Sequence, residues 1–252
     1  MQIYGINPVL EALRAKRVTR LRMSARSDKR MDEILALAAK QGIPIDRVDA
    51  VALDRGARGG VHQGILAEVE DTREFSVREL VEVAGTLGAS HLHGQAPLIV
   101  VLDGIEDPHN VGAILRTCDA AGVTGVVRQA RHSASLDGVV AKASAGAVAH
   151  ARIATVVNIA RAIEELTEAN VWAIGLAGDA TEDYTAVDWT LPSAIVLGAE
   201  GSGLRRLVRE RCDRLVRLPM LGSVESLNVS VAAGVVLYEA VRQRAGHHRG
   251  EG

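Results

Sequence analysis

The sequence predicts an α/β protein with a parallel sheet in its larger part and a smaller α/β unit before it. From Pro97 onward, short runs of Val, Ile and Leu alternate with amphipathic stretches, as where "PLIVVLD" is followed by "PHNVGAILRTCDAAG". The strand-like runs are apolar throughout, which is typical of strands buried in a parallel sheet that helices cover on both faces. Ligands of such sheets bind beyond the carboxyl ends of the strands, so the loops at those ends are candidate sites.

The composition is that of a globular protein. Of the 252 residues, 48% are hydrophobic and 24% are charged, which excludes the intrinsically disordered and membrane-spanning classes. The apolar runs are shorter than the roughly 20 residues of a bilayer span, and the N-terminus lacks a signal-peptide pattern, so we expect a cytoplasmic protein. Cys118 and Cys212 are too few for a disulfide framework and lack the spacing of a zinc site, so we expect reduced thiols and no metal.

Charge is unevenly distributed, although the formal net charge is only −2. The first 30 residues hold eight Lys or Arg and two acidic residues, so this basic segment is a candidate for contact with phosphate groups. Aromatic residues make up 2% of the chain, which argues against base-stacking platforms. Any bound RNA is therefore expected to be held by its backbone, by arginine and by a pocket.

The N-terminal unit is expected to span residues 1–70. Hydrophobic periodicity predicts helical segments at 7–15 and 29–42 and strands at 20–25, 43–48 and 64–70. From 71 to 96 the apolar period gives way to acidic residues and then to Gly, Ser and His, which predicts a linker with room for one short helix.

Residues 97–252 are expected to form the larger domain. The same patterns predict strands at 97–103, 124–129, 151–156, 171–178, 193–200 and 214–220, and helices at 108–122, 138–147, 159–170, 203–212 and 227–244. We expect the tail from 245 to be frayed, and a mobile terminus explains His247 and His248 more readily than metal binding does.

The stretch "LDGIEDPHNVGAILRT" places polar residues at the start of a helix. Asp107 is a natural N-cap and Pro108 suits the first helical position. Capping does not explain Asn110 or Arg116, although an exposed helix arginine is the ordinary alternative for Arg116. The expected buried stripe of this helix is Val111, Ile114, Leu115 and Cys118.

The stretch "IVLGAEGSGL" resembles a ligand-binding loop. Gly198, Gly201 and Gly203 let the backbone approach a ligand closely, but their spacing fits neither a dinucleotide-binding fingerprint nor a P-loop. Glu200 follows a hydrophobic strand, where a carboxylate needs hydrogen bonds or an arginine. Capping the next helix is the alternative role for Glu200.

The stretch "LPMLGSVESLNVSVAAG" ends a strand and begins the last helix. Ser226 is a candidate N-cap, and Asn228 and Ser230 are poor helix formers whose presence in the first turn suggests a ligand there. The expected apolar face of this helix is Leu227, Val231, Val235 and Tyr238. Since all three stretches follow strands of one parallel sheet, we expect them to converge.

These three stretches, in this order, resemble the signature motifs of the SpoU (TrmH) branch of the SPOUT RNA 2′-O-methyltransferases. "YGINPVLEAL" and "GGVHQGI" are similar to the N-terminal module of the RlmB-type 23S rRNA guanosine methyltransferases, so the resemblance covers nearly the whole chain. It implies an L30e-like RNA-binding domain, a linker, and a parallel-sheet domain with a C-terminal trefoil knot, a rare threaded fold. It also implies S-adenosyl-L-methionine as cofactor, 23S rRNA as substrate, and a homodimer with the site near the subunit interface.

The resemblance assigns residues to the site. Asn110, Arg116, Glu200, Ser226 and Asn228 fall on the family's polar positions, and Gly198, Leu218 and Leu227 fall on its cofactor-contacting positions. Arg116 is the family's proposed activator of the ribose hydroxyl, but arginine is a poor base, so orientation of the hydroxyl and a phosphate is the role we expect. Ser226 and Asn228 are expected to position ribose or cofactor, and Glu200 to anchor Arg116 or the loops.

The sequence therefore predicts 2′-O-methylation of a guanosine ribose in 23S rRNA. Two alternatives remain: the same chemistry on tRNA or another rRNA nucleotide, and a non-catalytic RNA-binding ribosome-assembly protein that keeps the fold. The basic segment and the loop "RGGVHQG" are expected to hold RNA backbone. A structural role in its turn is as well supported for His62 as contact with RNA.

Overall fold

The computed structural model describes residues 1–24, 29–57, 59–70, 73–86, 96–131, 133–136 and 138–247. Contacts divide the chain into two compact units. The first comprises residues 1–72, 111–116 and 134–151, and the second comprises 73–110, 117–133 and 152–252. Because segments from the middle of the chain cluster with the N-terminal residues, these units do not coincide with the boundaries expected from the sequence, which remain a prediction.

The N-terminal part of the chain forms a small mixed sheet with helices. In chain order its elements are β1 (Gln2–Tyr4), α1 (Ile6–Arg14), β2 (Val18–Met23), α2 (Lys29–Gln41), β3 (Ile45–Arg47), α3 (Ala50–Ala57) and β4 (Ile65–Val69). The strand order is β1-β4-β2-β3, with β4 antiparallel to both its neighbours and β2 parallel to β3. The predicted strands and helices are present. Strand β1 and helix α3 were not predicted, because their three and eight residues carry too short an apolar period.

The rest of the chain supplies the larger sheet. Its elements are α4 (Val77–Thr86), β5 (Leu98–Asp103), α5 (Pro108–Ala120), β6 (Gly125–Gln129), α6 (Gly138–Ala143), β7 (Ile153–Val156), α7 (Ile159–Glu168), β8 (Trp172–Leu176), β9 (Glu182–Asp183), β10 (Ser193–Gly198), α8 (Arg206–Arg211), β11 (Arg214–Arg217) and α9 (Val229–His247). The strand order is β7-β6-β5-β10-β8-β11-β9, and every pair is parallel. The predicted parallel α/β fold is confirmed.

The core of the larger sheet explains its apolar strands. All six residues of the central strand β5 are buried, and its neighbour β10 is buried over its first five residues. Helices α4 and α7 pack against this core through Val77, Leu80, Ile163 and Leu166. The short helix expected within 71–96 is thus present as α4, a packed element, while the Gly- and His-rich stretch 87–95 lies outside the described residues.

Helix α6 packs in the first unit. Tyr4 lies between two glycines: a Cβ built on Gly60 would lie 2.4 Å from its hydroxyl oxygen, and one on Gly138 would lie 2.3 Å from its ring. Arg17 donates a hydrogen bond of 3.1 Å to the carbonyl oxygen of Ala149, in the 3-10 turn that follows α6. These contacts place residues 134–151 with the N-terminal elements.

Helix α9 corrects two expectations. It begins at Val229 and not at residue 227, and it continues to His247, three residues into the tail expected to be frayed; His248 lies outside the described residues. Its buried face is Val229, Ala233, Val236, Leu237 and Ala240, so the expected face is wrong: Val231, Val235 and Tyr238 are exposed. Both stripes are apolar, so periodicity alone does not identify the one that faces the core.

Among the described residues, no helix combines the length and the apolar character that crossing a bilayer requires.

Candidate active site

Three side chains from the three predicted loops meet in a hydrogen-bonded chain. The amide nitrogen Nδ2 of Asn228 donates to Oδ1 of Asn110 over 2.9 Å and to Oε1 of Glu200 over 2.7 Å. Asn110 lies in the first turn of α5, after β5, and Glu200 follows β10, the strand beside β5. The expected convergence of the loops is confirmed at the carboxyl ends of the two central strands.

Asn228 also caps helix α9. Its Oδ1 accepts the backbone N–H of Ser230 over 2.9 Å and the Ser230 hydroxyl over 2.5 Å. Ser226, the expected cap, is exposed and lies three residues before the helix. The side chain at position 228 accepts a hydrogen bond from the helix N-terminus and donates hydrogen bonds to two oxygen atoms. An asparagine amide can do both, whereas a serine hydroxyl has one donor and an aspartate carboxylate has none.

Helix α5 begins as the sequence predicts. Asp107 is the N-cap and accepts the N–H of His109 over 2.9 Å, and Pro108 is in the first turn. Asn110 is buried, 6% exposed. Arg116 is exposed on the same helix and has no hydrogen-bond partner among the described residues. It lies six positions beyond Asn110 on the helix, which corresponds to about 9 Å along the axis.

The expected stripe of α5 is confirmed, since its four members are buried: Val111, Ile114, Leu115 and Cys118.

A buried carboxylate holds the loop that carries Glu200. Asp103, at the end of β5, is fully buried and accepts the backbone N–H of Arg205 over 2.9 Å and its Nε over 2.6 Å. Arg205 thus supplies two donors, its backbone N–H and its Nε, and both bind Asp103. These hydrogen bonds fix the loop between β10 and α8 against β5. We did not identify Asp103 from the sequence, although an aspartate that ends a wholly apolar strand was the available signal.

The glycines of this loop have different roles. A Cβ on Gly198 would lie 2.2 Å from the carbonyl carbon of Gly203, so Gly198 is required for the loop to fold back on itself. Gly201 and Gly203 have φ of +76° and +66°, the left-handed region, with open space where a Cβ would stand. Gly198 was expected to let the backbone approach a ligand, but it allows a close approach to the backbone of the same loop. The side of the loop with open space is at Gly201 and Gly203.

The remaining candidate residues follow β11. Leu218 is half-buried one residue after the strand, and Leu227 is 40% exposed before α9. Glu200 does not cap α8, because the N-cap of that helix is Arg205, with no side-chain cap. Of the eight residues selected from the sequence, the structure joins Asn110, Glu200 and Asn228 by hydrogen bonds. Of the other five, Arg116 lies on α5, Gly198 ends β10, and three lie in loops, with no side-chain hydrogen bond to this group among the described residues: Leu218, Ser226 and Leu227.

The basic N-terminal segment is partly neutralised by acids from elsewhere in its unit. Arg14 pairs with Glu11 and Glu33 at 2.7 and 2.8 Å. Arg22 pairs with Glu68 at 2.6 Å. Glu33 and Glu68 lie outside the first 30 residues, so a charge count over that segment omits them and overstates its cationic surface, whereas Glu11 was already counted.

His62 has a structural role in its turn. Its Nδ1 accepts the N–H of Gly64 over 3.0 Å, which leaves the proton on Nε2, and Nε2 lies 3.0 Å from Asp54. The neighbouring Gln63 accepts the N–H of Ile6 at the start of α1. Residues 59–64 of the stretch "RGGVHQG" thus form a folded connection in the first unit, and Arg58 lies outside the described residues. Contact between His62 and RNA remains a prediction.

Comparison with known families matches both parts of the chain. Residues 97–238 match the SpoU rRNA methylase family, and residues 2–75 match the RNA 2′-O ribose methyltransferase substrate-binding family. The chain belongs to the SpoU rRNA methylase family. The hydrogen-bonded Asn110, Asn228 and Glu200 all lie within the matched 97–238, so the site described above is a feature of a SpoU methylase domain.

Several proteins and solved structures are similar to this SpoU methylase. The 23S rRNA (guanosine-2'-O-)-methyltransferase RlmB of Pseudomonas putida is 45% identical over 249 residues, covering 96% of each chain. The AdoMet complex of AviRb from Streptomyces viridochromogenes, 24% identical, has the same fold, with a TM-score of 0.79 over 98% of this chain and 91% of that one. The A. aeolicus TrmH/SpoU tRNA modifying enzyme, 28% identical, matches 68% of this chain and 84% of its own with a TM-score of 0.55.

Among the described residues, no three His, Cys, Asp or Glu side chains are grouped closely enough to hold a metal ion.

Proposed function

We propose that this SpoU methylase transfers a methyl group from S-adenosyl-L-methionine to the ribose 2′-hydroxyl of a guanosine in 23S rRNA. The observation that carries the proposal is the chain of hydrogen bonds from Asn110 through Asn228 to Glu200. It supports an enzyme over a non-catalytic RNA-binding protein, because a helix cap alone needs no amide donor at 228 and no buried amide at 110. The near full-length similarity to an RlmB methyltransferase supports the substrate class.

The residues around the β10 loop fit the cofactor. A methionine-linked nucleoside needs apolar surface for its adenine and backbone groups for its polar ends. Leu218 and Leu227 offer accessible apolar side chains, and the loop that Gly198 allows to fold offers backbone on its open side. S-adenosylmethionine, when bound, supplies an electrophilic methyl group on a sulfonium. Gly198, Leu218 and Leu227 are the residues we assign to holding it.

Arg116 is the residue we assign to the ribose. Its guanidinium is exposed and has no partner among the described residues, so it is available for a substrate phosphate and for the 2′-oxygen. Since arginine is a poor base, Arg116 orients the hydroxyl and stabilises negative charge on its oxygen, and a substrate phosphate or water takes the proton. Asn228 has its donors and its acceptor committed to the loops, so it positions the site; Ser226, which is exposed, contacts ribose or cofactor.

The protein acts as a homodimer in this proposal. Val231, Val235 and Tyr238 form an exposed apolar stripe on α9, and Leu221 and Val224 are exposed in the loop before it. An exposed apolar stripe of this kind is suited to packing against a second copy of the chain. Because α9 begins next to Asn228, the dimer interface would lie beside the candidate active site. The C-terminal trefoil knot of the family is part of the same proposal.

Transfer to tRNA is the second candidate, because a tRNA modifying enzyme shares the fold. That enzyme matches only 68% of this chain, whereas the RlmB of Pseudomonas putida matches 96%. The N-terminal match to a substrate-binding family over residues 2–75 favours rRNA.

Transfer of labelled methyl groups distinguishes these substrates. The purified protein is incubated with labelled S-adenosylmethionine and with deproteinised 23S rRNA, 16S rRNA or bulk tRNA, and the modified nucleotide is located by its resistance to alkaline cleavage. We expect one labelled guanosine in 23S rRNA. Label in tRNA alone would overturn the rRNA assignment, and no label in any RNA would favour the non-catalytic alternative.

A further inference from the structure

An unpaired histidine ring lies at the start of α5. His109 is exposed in the first turn of this helix, next to the buried Asn110, and its imidazole makes no hydrogen bond or ion pair among the described residues. By contrast, the imidazoles of His62 and His150 each lie within 3.3 Å of a carboxylate oxygen. Because α5 follows β5, the His109 ring lies at the carboxyl end of that strand, where ligands of parallel sheets bind.

Local structure does not account for a histidine at this position. Asp107 is the N-cap of α5, and it engages only the backbone N–H of His109. Histidine is a poorer helix former than alanine or glutamate, and a first turn favours acidic side chains. Since the ring is exposed, it also takes no part in the core. Neither capping, helix propensity nor core packing therefore explains the imidazole.

Helix geometry places His109 and Arg116 on one ridge of α5. They are seven positions apart, which brings them within about 20° of each other around the axis and about 10 Å apart along it. Ala113 lies between them on this ridge, and its single methyl group leaves a notch between the imidazole and the guanidinium. Asn110, about 100° away around the axis, faces Asn228 instead. The notch thus lies on the open side of the helix that carries the site.

The two side chains that flank this notch have complementary chemistry. Arg116 is exposed without a partner among the described residues, and it is assigned above to a substrate phosphate and the 2′-oxygen. Arginine holds its proton too tightly to act as a base. Imidazole is the side chain that most often accepts a proton in general base catalysis, either directly or through one water. Both side chains lean toward the start of the helix, so the spacing between them is kept and leaves room for a ribose and one water.

We propose that His109 is the proton acceptor for the ribose 2′-hydroxyl, which it reaches through one water in this notch. The inference rests on the proposed transfer to a ribose, and it adds the group that receives the proton. The water takes the hydroxyl proton and gives one of its own to the imidazole. The hydroxyl oxygen forms its bond to the methyl carbon as the carbon–sulfur bond breaks, and the sulfur keeps the electron pair. The imidazolium then releases its proton to solvent.

Chemical rescue of single-turnover transfer tests this role. The RNA is a 23S rRNA fragment around the nucleotide that the wild type methylates, and the cofactor is saturating. We expect His109→Ala and His109→Gln to slow transfer at least about a hundredfold, with unchanged affinities for the fragment and for S-adenosylmethionine. Added imidazole should accelerate His109→Ala at least about tenfold, because it fits the space of the missing ring. It should not accelerate Arg116→Ala or the wild type.

His150→Ala is the matched control, because it removes a histidine whose ring already has a partner, Glu11. It should transfer at the wild-type rate with or without imidazole.

Three results would overturn the inference while the proposed function stands. They are a His109→Ala variant as fast as the wild type, a slow His109→Ala that imidazole does not accelerate, and a His109→Gln that keeps its rate. Glutamine forms hydrogen bonds but does not accept a proton, so retained activity would mark a binding role for position 109. If wild-type protein methylates no RNA, the proposed function fails and this inference fails with it.

Discussion

Asn228 and Glu200 are joined by a hydrogen bond of 2.7 Å although 28 residues separate them in the chain. The same Asn228 nitrogen reaches Asn110, which lies 118 residues away. One amide therefore links the first turn of α5, the loop after β10 and the N-terminus of α9. The relative position of these three elements depends on it.

The acceptor on Glu200 is expected to matter more than its charge. Glu200→Ala removes the oxygen that receives Asn228 Nδ2, so we expect the transfer rate at saturating cofactor to fall about tenfold. Glu200→Gln keeps an acceptor oxygen and should retain most of the rate. Glu225→Gln, a change at an exposed acid in the segment before α9, is the control and should have no effect. Equal losses in Glu200→Ala and Glu200→Gln would contradict this role.

Asp103 is expected to stabilise both the fold and the site. In Asp103→Ala the backbone and Nε donors of Arg205 lose their buried acceptor, and Arg205 is itself half-exposed, so we expect urea denaturation to show a loss of about 1–3 kcal/mol. The transfer rate should fall as well, because the loop bearing Glu200 is released from β5. Asp179→Ala breaks the exposed pair with Arg209 and should leave stability unchanged. An Asp103 variant as stable as the Asp179 variant would refute the proposed brace.

The exposed stripe of α9 is expected to form the dimer interface. Tyr238, 55% exposed, lies on it, and Tyr238→Arg introduces a charge that a packed interface cannot accommodate. We expect sedimentation to show a monomer for this variant and a dimer for the wild type. Val157→Arg places the same charge at a residue that is 84% exposed elsewhere, and it should remain dimeric. A dimeric Tyr238→Arg would place the interface on another surface.

The thiol of Cys212 is expected to react slowly. Burial, with smaller contributions from Asp213 and Asp103, raises its pKa to about 12. Below that pH the reactive thiolate is a small fraction that grows about tenfold per pH unit. We therefore expect the rate of iodoacetamide alkylation in the folded protein to keep rising from pH 8 to pH 11, whereas in urea it should level off above about pH 9. Mass spectrometry of the labelled peptide follows both rates, and an early plateau in the folded protein would contradict the raised pKa.

Much of the fold was predictable because the strands of a parallel sheet are apolar from end to end. The order of β5, α5, β6 and α6 follows from alternating apolar runs, and Asp107 marks the start of α5. The two-residue strand β9 was not predictable, since its pairing with β11 depends on a neighbour distant in sequence. The prediction of which face of α9 is buried was wrong, because the helix has apolar stripes on two sides.

The site was predictable as a set of loops but not as a set of contacts. The resemblance identified Asn110, Glu200 and Asn228, and of the two partners expected for Glu200, Arg116 or the loops, the structure shows a loop residue, Asn228. Ser226 was a candidate cap because serine commonly caps helices, whereas the structure shows Asn228 as the cap of α9. Asp103 carried no motif, and only its pairing with Arg205 reveals its role.

The central claim is that the site built from these three loops methylates a ribose hydroxyl with the help of Arg116. Its most direct test is nucleoside analysis of 23S rRNA after a single turnover with wild type and Arg116→Ala, with cofactor affinity measured in parallel. We predict 2′-O-methylguanosine from the wild type, and at least about a hundredfold slower formation by the variant at unchanged cofactor affinity. A methyl group on a base, or equal rates from the two proteins, would contradict the account.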